Sequence, residues 1–522
     1  MAYVRPALAL VFAMGITPAL AVDITIASST ETSAIDPHFS RTGNNQNIAM
    51  QIFDRIAGID ENLQQYPAVA EAWTNIAPNK WLIKVRANVK FHDGSPLTAD
   101  DVVFSLSRAG NIPNSPAPFT GNVASIAEMK IVDPLTIEFT TKGPTPDFIE
   151  QIGSVFVVSK KAAEGKKLED FNSGAAAIGT GPYKFKSWAK GDRVVLTRNN
   201  DYWGKKPDFE NATIRVISND AARIAALRSN SVDLIDAVPP EDAASIAKMA
   251  GYKVYSTASA RMIYLALDTV RDEAPFITTT DGKPLVPNPL KNLKVREAIS
   301  KMINRDLIID RILNGSGLAA GQLVPEGVAG HDPSIKVPAY DPDGAKKLMA
   351  EAGYPNGFGL TIHTSNDRFP GDSGTAQAIG QMLARGGIKV NEVVAQPYNV
   401  YAGNATKQMF SVFIFSLGNT TPTSGPGLKN LLMTFDAKEG TGAFNRLRYT
   451  NAAFDAKMKE GFSEFDLNKR LALFQEATRM GFADVPVVPL YWQKVHWAGK
   501  ATINYKPSKA EDTTAVDASI AK

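Results

Sequence analysis

The alternation of hydrophobic and polar residues changes its period between residues 70 and 108. Trp81, Ile83 and Val85 occupy every second position, which is the period of a strand with one buried face. Asp93-Gly94 predicts a turn, because glycine adopts a positive φ without a Cβ clash. At Thr98 the period lengthens to that of a helix, and a hydroxyl there can cap the first turn. The pattern therefore predicts two short strands, a turn and a capped helix.

Strand-like and helix-like segments alternate along the rest of the chain. The pattern predicts a strand at residues 214–218 and another at residues 232–235. Between them it predicts a helix whose buried face carries Ala221, Ile224 and Leu227. This β-α-β order is typical of α/β proteins with a parallel or mixed sheet.

One later helix has clear start and stop signals. Asp341 can cap its first turn, Pro342 suits the first helical position, and Gly353 follows its end. We therefore predict a helix that begins at Pro342 and ends just before Gly353.

Composition limits the class of protein. The chain has 522 residues, 44% of them hydrophobic, which suggests roughly two to four domains. Its 56 Lys and Arg residues and 53 Asp and Glu residues give a net charge of +3 without a basic block, so we expect no nucleic-acid partner. The absence of cysteine excludes disulfides, a cysteine zinc site and a lipid-anchoring cysteine.

The N-terminal residues 1–21 have the features of a secretory signal peptide. Arg5 is a basic start, residues 7–16 are apolar, and Ala19-Leu20-Ala21 is a small-x-small cleavage site. An ordinary buried helix is the alternative. No other stretch is apolar over the roughly 18 residues needed to span a bilayer. We predict a soluble periplasmic protein, released by cleavage and not a lipoprotein.

Little in the sequence predicts catalysis. The five histidines include no pair at the i,i+4 spacing of a helical metal site, so we expect no metal site and no cofactor. Gly371-Asp372-Ser373-Gly374 resembles the nucleophile loop of trypsin-like proteases, but Ser373 opens a predicted helix and no all-β pattern surrounds it. We predict that the protein is not an enzyme. A periplasmic hydrolase that uses Ser373 is the alternative.

Residues 70–108 resemble the signature segment of the family 5 extracellular solute-binding proteins, the dipeptide-, oligopeptide- and nickel-type binding proteins of ABC importers. Gly179–Tyr183 and Asp201–Gly204 are similar to further landmarks of that family. The resemblance implies an α/β, two-lobed periplasmic-binding-protein-like fold of type II, with an extra sub-lobe in the first domain. It also implies a signal peptide at residues 1–21, a lobe I formed by residues 22–58, 177–262 and 488–522, an inserted sub-lobe at residues 59–176, and a lobe II at residues 263–487.

The resemblance also implies a function. A small ligand, peptide-like or a related polar compound, would be captured in the cleft between the lobes and delivered to the permease subunits in the inner membrane by a monomeric binding protein. Closure would be a hinge motion near Leu265–Asp268 and Leu490–Tyr491. An opine, a sugar or a nickel chelate is the alternative ligand. A ligand-independent interaction or chaperone protein is the alternative of another class.

Ligand choice is open, because the family's peptide binders commonly carry an aspartate in the loop that corresponds to Ser416–Gly425, and this chain has no acidic residue there. Glu31 or Asp372 could hold a ligand amine instead. Tyr398 and Tyr401 could stack on a ligand or be core aromatics, and the polar loops could simply be solvated. The candidate ligand-binding residues are Thr30, Glu31, Thr32, Asn366, Arg368, Asp372, Tyr398, Tyr401, Asn419 and Thr420.

Overall fold

The computed structural model describes residues 22–521, so the predicted signal peptide lies outside the described residues. Its strands and helices alternate, as the sequence predicts. In chain order they are β1 (Ile24–Ser28), α1 (Gly43–Ile52), β2 (Ala57–Ile59), β3 (Gln65–Pro67), β4 (Ala70–Ala77), β5 (Lys80–Val85), α2 (Ala99–Ala109), α3 (Thr120–Val123), β6 (Ile126–Asp133), β7 (Thr136–Thr141), α4 (Phe148–Gly153), α5 (Lys160–Ala163), α6 (Leu168–Asn172), β8 (Tyr183–Ala189), β9 (Arg193–Arg198), β10 (Asn211–Val216), α7 (Asp220–Arg228), β11 (Leu234–Ile235), α8 (Pro240–Ile246) and β12 (Tyr252–Leu267).

The remaining elements follow β12. They are β13 (Ile277–Thr278), a 3₁₀ turn (Pro289–Lys291), α9 (Leu293–Met302), α10 (Arg305–Arg311), β14 (Gly317–Ala319), α11 (Pro342–Glu351), β15 (Gly359–Ser365), α12 (Asp372–Arg385), β16 (Lys389–Gln396), α13 (Tyr398–Thr406), β17 (Val412–Gly418), α14 (Gly425–Leu432), α15 (Ala452–Ser463), α16 (Leu467–Ala483), β18 (Val487–Lys500), β19 (Ile503–Tyr505) and β20 (Ala518–Ile520).

A twelve-stranded mixed sheet runs through the whole molecule. Its two long antiparallel neighbours, β12 and β18, cross from one half to the other. Residues 252–258 of β12 pair with residues 494–500 of β18, and residues 262–266 pair with residues 487–492. The register shifts between these two blocks, so Ser259–Arg261 form an irregular stretch at the crossing.

Two lobes form because the sheet buries separate cores on either side of this crossing. The first-lobe core includes β1, α1, β9 and β10. The second lobe has one core on each face of its part of the sheet, built around β12, β15, β17 and β18. The α/β prediction is confirmed, and so is the helix bounded by Asp341 and Gly353, where the Asp341 carboxylate accepts the N–H of Gly344 at 2.9 Å.

A separate antiparallel sheet, in the order β4-β5-β7-β6, belongs to the first lobe. It contains the strands predicted from residues 70–85, and the helix predicted at Thr98 is α2. The Asp101 carboxylate accepts hydrogen bonds from the N–H and the hydroxyl of Thr98, each at 2.9 Å, so Thr98 and Asp101 form a capping box at the predicted helix start. Trp81, Phe139 and Phe148 join this sheet to the first-lobe core.

The tip of the β2–β3 hairpin also reaches across the crossing. Leu63 adopts a φ of +65° and is fully buried in the second-lobe core. Three backbone hydrogen bonds then run through the crossing: Lys509 N–H to the carbonyl of Glu61 (2.8 Å), Ala260 N–H to that of Lys509 (2.9 Å), and Asn419 N–H to that of Ala260 (2.8 Å). Four separate chain segments are therefore joined in one ladder.

Candidate interlobe ligand site

A cavity of about 390 Å³ lies between the two lobes, within the size range of small-molecule sites. Its first-lobe wall comes from the start of α1, the segment after α1, the β2–β3 hairpin and α4, and its second-lobe wall from the loop after β17. The polar lining residues are Arg41, Thr42, Gln46, Arg55, Gln65, Asn122, Glu150, Ser154, Thr420, Thr421 and Asp512. Groups able to bind both ends of a charged ligand therefore converge here.

Arg41 and Arg55 give the cavity positive charge. Arg41 donates to the side-chain oxygen of Asn122 at 3.1 Å, and Arg55 donates to that of Gln46 at 2.6 Å. Burial lowers the pKa of both guanidinium groups from their usual value. Within residues 22–521, no carboxylate oxygen lies within 4.0 Å of either one. Both cations are thus available to a ligand anion.

Arg55 is held in place by apolar as well as polar contacts. Its guanidinium lies 5.1 Å from the ring centre of Phe156, and its Nε is buried without a hydrogen-bond partner in the described chain. Asp512 is near enough to raise the pKa of Arg55, against the larger effect of burial. A buried donor without a partner is costly, so a ligand acceptor at Nε would relieve this cost.

The acidic groups of the cavity are Glu150 and Asp512. The Glu150 carboxylate pairs with Arg470 at 2.9 Å and accepts the hydroxyl of Thr423 at 3.0 Å, so α4 of the first lobe contacts α16 of the second. Burial raises the pKa of Glu150, and Arg470 opposes this effect. Burial likewise raises the pKa of Asp512, with Arg55 opposing. The site therefore combines carboxylates and guanidinium groups.

Asp54, next to Arg55, connects the two sequence landmarks Gly179–Tyr183 and Asp201–Gly204. Its carboxylate accepts hydrogen bonds from Thr180 (2.9 Å), Tyr202 (3.0 Å) and Trp203 (2.7 Å). Gly179 must be glycine, because a Cβ there would lie 2.0 Å from the carbonyl oxygen of Ile52. The two landmarks thus fix the segment that positions Arg55.

Thr30, Glu31 and Thr32 line a different and smaller cavity, of about 20 Å³, inside the first lobe beside Trp188. Glu31 accepts the N–H of Gly191 at 2.5 Å, and Thr32 donates its hydroxyl to a nearby carbonyl. This loop does not line the interlobe cavity.

Asp372 is buried at the start of α12. Its carboxylate accepts hydrogen bonds from the hydroxyl of Ser365 (2.8 Å), the N–H of Arg368 (3.1 Å) and the N–H of Ser373 (2.8 Å). Because these bonds occupy both oxygens, Asp372 organises the loop and the helix start rather than presenting a free carboxylate. Asn366 is exposed in the same loop.

Arg368 and Tyr398 are brought together, whereas Tyr401 is not. The exposed Arg368 side chain lies over the Tyr398 ring at 5.2 Å, and Tyr398 packs against Phe415. Tyr401 is buried and donates its hydroxyl to the carbonyl of Ile414. Of the two readings of these tyrosines, the core aromatic therefore describes Tyr401, while Tyr398 remains accessible.

The loop after β17 also contains one buried and one exposed candidate residue. Asn419 is buried, and its amide donates to the carbonyls of Thr423 (3.1 Å) and Thr421 (3.3 Å), which shapes the loop. Thr420 is exposed and lines the interlobe cavity. Among the ten candidates, Thr420 alone is in this lining.

Ser373 and the histidines are the side chains that could support catalysis or metal binding. The Ser373 hydroxyl donates to the carbonyl of Ser365 at 3.4 Å, and its hydrogen bonds include no histidine. Burial lowers the pKa values of His38, His92 and His363 to about 4, so these rings are neutral near pH 7. Residues 22–521 contain no group of three or more His, Asp or Glu side chains arranged to hold a metal ion.

The part of the chain that the structure describes contains no helix long and apolar enough to span a membrane.

Solved structures share this fold over nearly the whole chain. HbpA2 from Haemophilus parasuis has 23% sequence identity and a TM-score of 0.83, with 96% of this chain and all of that chain covered. DppA from Helicobacter pylori in complex with the peptide STSA has 24% identity and a TM-score of 0.73, covering 96% of this chain and 99% of that one. The predicted two-lobed fold is confirmed.

Sequence comparisons agree. The glutathione-binding protein GsiB of Salmonella paratyphi A is 26% identical over 499 residues, which cover 94% of this chain and 93% of that protein. The model of the bacterial extracellular solute-binding proteins, family 5 Middle, matches residues 64–439, well over half of the chain. This protein belongs to the family 5 extracellular solute-binding proteins, the solute-capturing components of ABC importers.

Proposed function

We propose that this protein captures a zwitterionic, peptide-like solute in the interlobe cavity and delivers it to the permease of an ABC importer. One observation carries the proposal: Arg41 and Arg55 line the same cavity as Glu150 and Asp512. A ligand carboxylate would bind the guanidinium groups, since a charge taken from water needs a partner. A ligand ammonium would bind Asp512, because Arg470 and Thr423 already occupy the two oxygens of Glu150.

The ammonium partner is therefore expected outside Ser416–Gly425. That loop is the family's usual position for an aspartate, and Thr420 and Thr421 bring only hydroxyl groups to the cavity. Glu150 and Asp512 approach the same space from the first lobe and from the C-terminal segment. The relatives support a peptide-like ligand, because one is named for glutathione and another is in complex with a peptide.

Closure is proposed to occur at Ser259–Arg261, where the pairing of β12 and β18 changes register. This stretch lies a few residues before the predicted hinge at Leu265–Asp268, and a second register shift between Ile263 and Tyr264 separates the two. Hinge motions are absorbed by a few residues of irregular backbone. The first lobe would comprise residues 22–58, 177–262 and 488–522, the sub-lobe residues 59–176, and the second lobe residues 263–487.

We also propose that the chain is a monomer without catalytic activity. It would be released into the periplasm by cleavage after Ala21 and would carry no lipid anchor. The family's binding role and the lack of a cysteine support these statements.

A thermal-shift screen tests the proposed ligand class. We expect di- and tripeptides with free ends to raise the melting temperature, because a ligand at 100 times its Kd stabilises the folded state by about 2.7 kcal/mol. N-acetylated and C-amidated forms of the same peptides are the matched controls, and each should bind more weakly. Shifts with sugars or nickel chelates alone would overturn the proposal.

A further inference from the structure

The turn between α15 and α16 of the second lobe lies against the sub-lobe sheet of the first lobe. Phe465 in this turn packs on the first-lobe core, and its ring centre lies 6.3 Å from that of Trp81 on β5. Trp81 is buried and is backed by Phe148, with 6.0 Å between the ring centres. The N–H of Asp466 donates to the carboxylate of Glu464 at 2.7 Å, so an ordered turn presents Phe465 to the sub-lobe.

An ion pair joins the same two parts of the molecule. Arg470 on α16 donates to the carboxylate of Glu150 on α4 at 2.9 Å, and the two side chains are only 7% and 10% exposed. The other oxygen of Glu150 accepts the hydroxyl of Thr423 at 3.0 Å. Removal of one partner of such a pair leaves the other charge buried without a counter-charge, which is strongly unfavourable. The contact is therefore sensitive to the loss of either charge.

Two buried donors at this contact have no acceptor in the described part of the chain. They are the indole N–H of Trp81 and the Nε of Arg470. A buried donor without a partner is unfavourable, and separation of the two surfaces would return both groups to water. The burial of Phe465 therefore favours the contact, whereas the lost hydration of these donors opposes it. Such opposing contributions make the contact reversible.

The contact lies beside the interlobe cavity but does not require a ligand. Glu150 lines that cavity, whereas Trp81, Phe465 and Arg470 do not. All the groups in the contact belong to this chain, so it can form before a ligand arrives. A protein whose binding-competent state is already populated binds its ligands more tightly, in proportion to that population. The contact should therefore raise affinity without choosing between ligands.

We propose that Phe465 and Arg470 form a latch that holds the two lobes together before any ligand binds. The latch is seated on Trp81 and Glu150 of the sub-lobe. This inference rests on the closure proposed at Ser259–Arg261 but not on the class of ligand. It gives the sub-lobe a role in closure, although the sub-lobe lies apart from the strands that cross between the lobes.

A distance measurement across the latch tests the proposal. The chain has no cysteine, so cysteines introduced by Glu128→Cys and Lys459→Cys, at exposed positions on the two sides, can be spin-labelled selectively. Double electron–electron resonance on the ligand-free chain then gives the ratio of closed to open molecules. Phe465→Ala and Arg470→Gln should each lower this ratio about 10-fold, since one removes the packed ring and the other leaves Glu150 without its counter-charge.

Lys469→Gln is the matched control, because it removes an exposed positive charge next to Arg470; it should keep the wild-type ratio. Glu150→Gln combined with Arg470→Gln should recover part of the ratio that Arg470→Gln loses, since no charge is then left unpaired. Circular dichroism verifies folding, and Phe465→Ala decides the test if Arg470→Gln does not fold. Equal ratios in wild type and in the folded latch variants overturn the latch.

Addition of trialanine separates the latch from the proposed ligand class. Trialanine should restore the short distance in every folded variant, at a higher half-saturating concentration where the latch is broken. If trialanine does not bind wild type, the proposed ligand class fails, while the ligand-free ratios still decide whether the latch exists.

Discussion

Residues 70–108 and the interlobe cavity differ in how they are built. The first region is local: strands β4 and β5 and helix α2 follow one another within 40 residues, and their side chains join one apolar core. The cavity is assembled from segments between Arg41 and Asp512, which are more than 400 residues apart. No residue of 70–108 lines it.

The difference shows that scaffold and ligand choice are carried by separate parts of this chain. A local, apolar pattern is stabilised by burial and changes little with the ligand. A dispersed set of charged side chains has little influence on the fold, but it determines which charged groups of a ligand can be transferred from water into the cavity. Substitutions in the two regions should therefore have separable effects.

The largest effect is expected for Phe91→Ala, which breaks the apolar side of the comparison. Phe91 lies within residues 70–108, and its side chain is buried in the first-lobe core. Its truncation should lower the free energy of unfolding by about 3–5 kcal/mol, as measured by urea denaturation. Ligand affinity of the folded variant should stay within twofold of wild type. A large loss of affinity would show that the two regions are coupled.

The next largest effect is expected for Arg41→Ala combined with Arg55→Gln, which breaks the charged side. Loss of both guanidinium groups should weaken binding of a free-ended peptide about 100-fold, or about 2.7 kcal/mol. Calorimetric titration measures the loss, and thermal unfolding without ligand provides the control. Unchanged affinity would remove the ligand carboxylate from this cavity.

A smaller effect concerns Asp517, in the C-terminal segment beside a second cavity that shares Arg55 and Asp512 with the interlobe one. Burial raises the pKa of Asp517 from 3.8 to about 6. The stability that this group contributes is fully present below pH 3.8 and is lost as the pH rises through about 6.

The Asp517→Asn variant should therefore become more stable relative to wild type as the pH rises from 4 to 7. The expected change is about 1 kcal/mol, which allows for solvent screening of this partly exposed group. Urea denaturation at both pH values measures it. An equal stability difference at pH 4 and pH 7 would contradict the prediction.

The smallest effect is expected for Ser373→Ala, outside both regions. Its hydroxyl makes one long hydrogen bond, of 3.4 Å, so stability should change by less than about 0.5 kcal/mol and peptide affinity should not change. Turnover of a peptide or ester by wild type that this substitution abolishes would instead support the hydrolase alternative.

Periodicity and capping signals were sufficient to predict the α/β class and individual helices. The Asp341 cap and the Thr98 capping box depend on residues within three positions of each other, so the sequence displays the whole interaction. These are short-range relations. Thr420, by contrast, was a candidate because its loop corresponds to the one in which the family's peptide binders commonly carry an aspartate, which is a matter of resemblance and not of periodicity.

The charged groups of the cavity could not be predicted in this way. Arg41, Arg55, Glu150 and Asp512 each look like ordinary surface charges, and only tertiary packing removes their usual partners or encloses them. Asp372 shows the opposite outcome: it looked free, but the N–H groups at the start of α12 occupy it. Arg55 directly follows Asp54, the residue that both landmarks contact in the folded chain. That contact is tertiary, so the sequence alone does not display it.

The backbone ladder through the crossing has a geometric consequence. Glu61, Lys509, Ala260 and Asn419 are joined in series by three backbone hydrogen bonds of 2.8–2.9 Å, so a closure that keeps these bonds has to turn about this part of the crossing. The chain, and not only the ligand, then restricts the proposed closure. Solutes of different length would stop the same rotation at different angles.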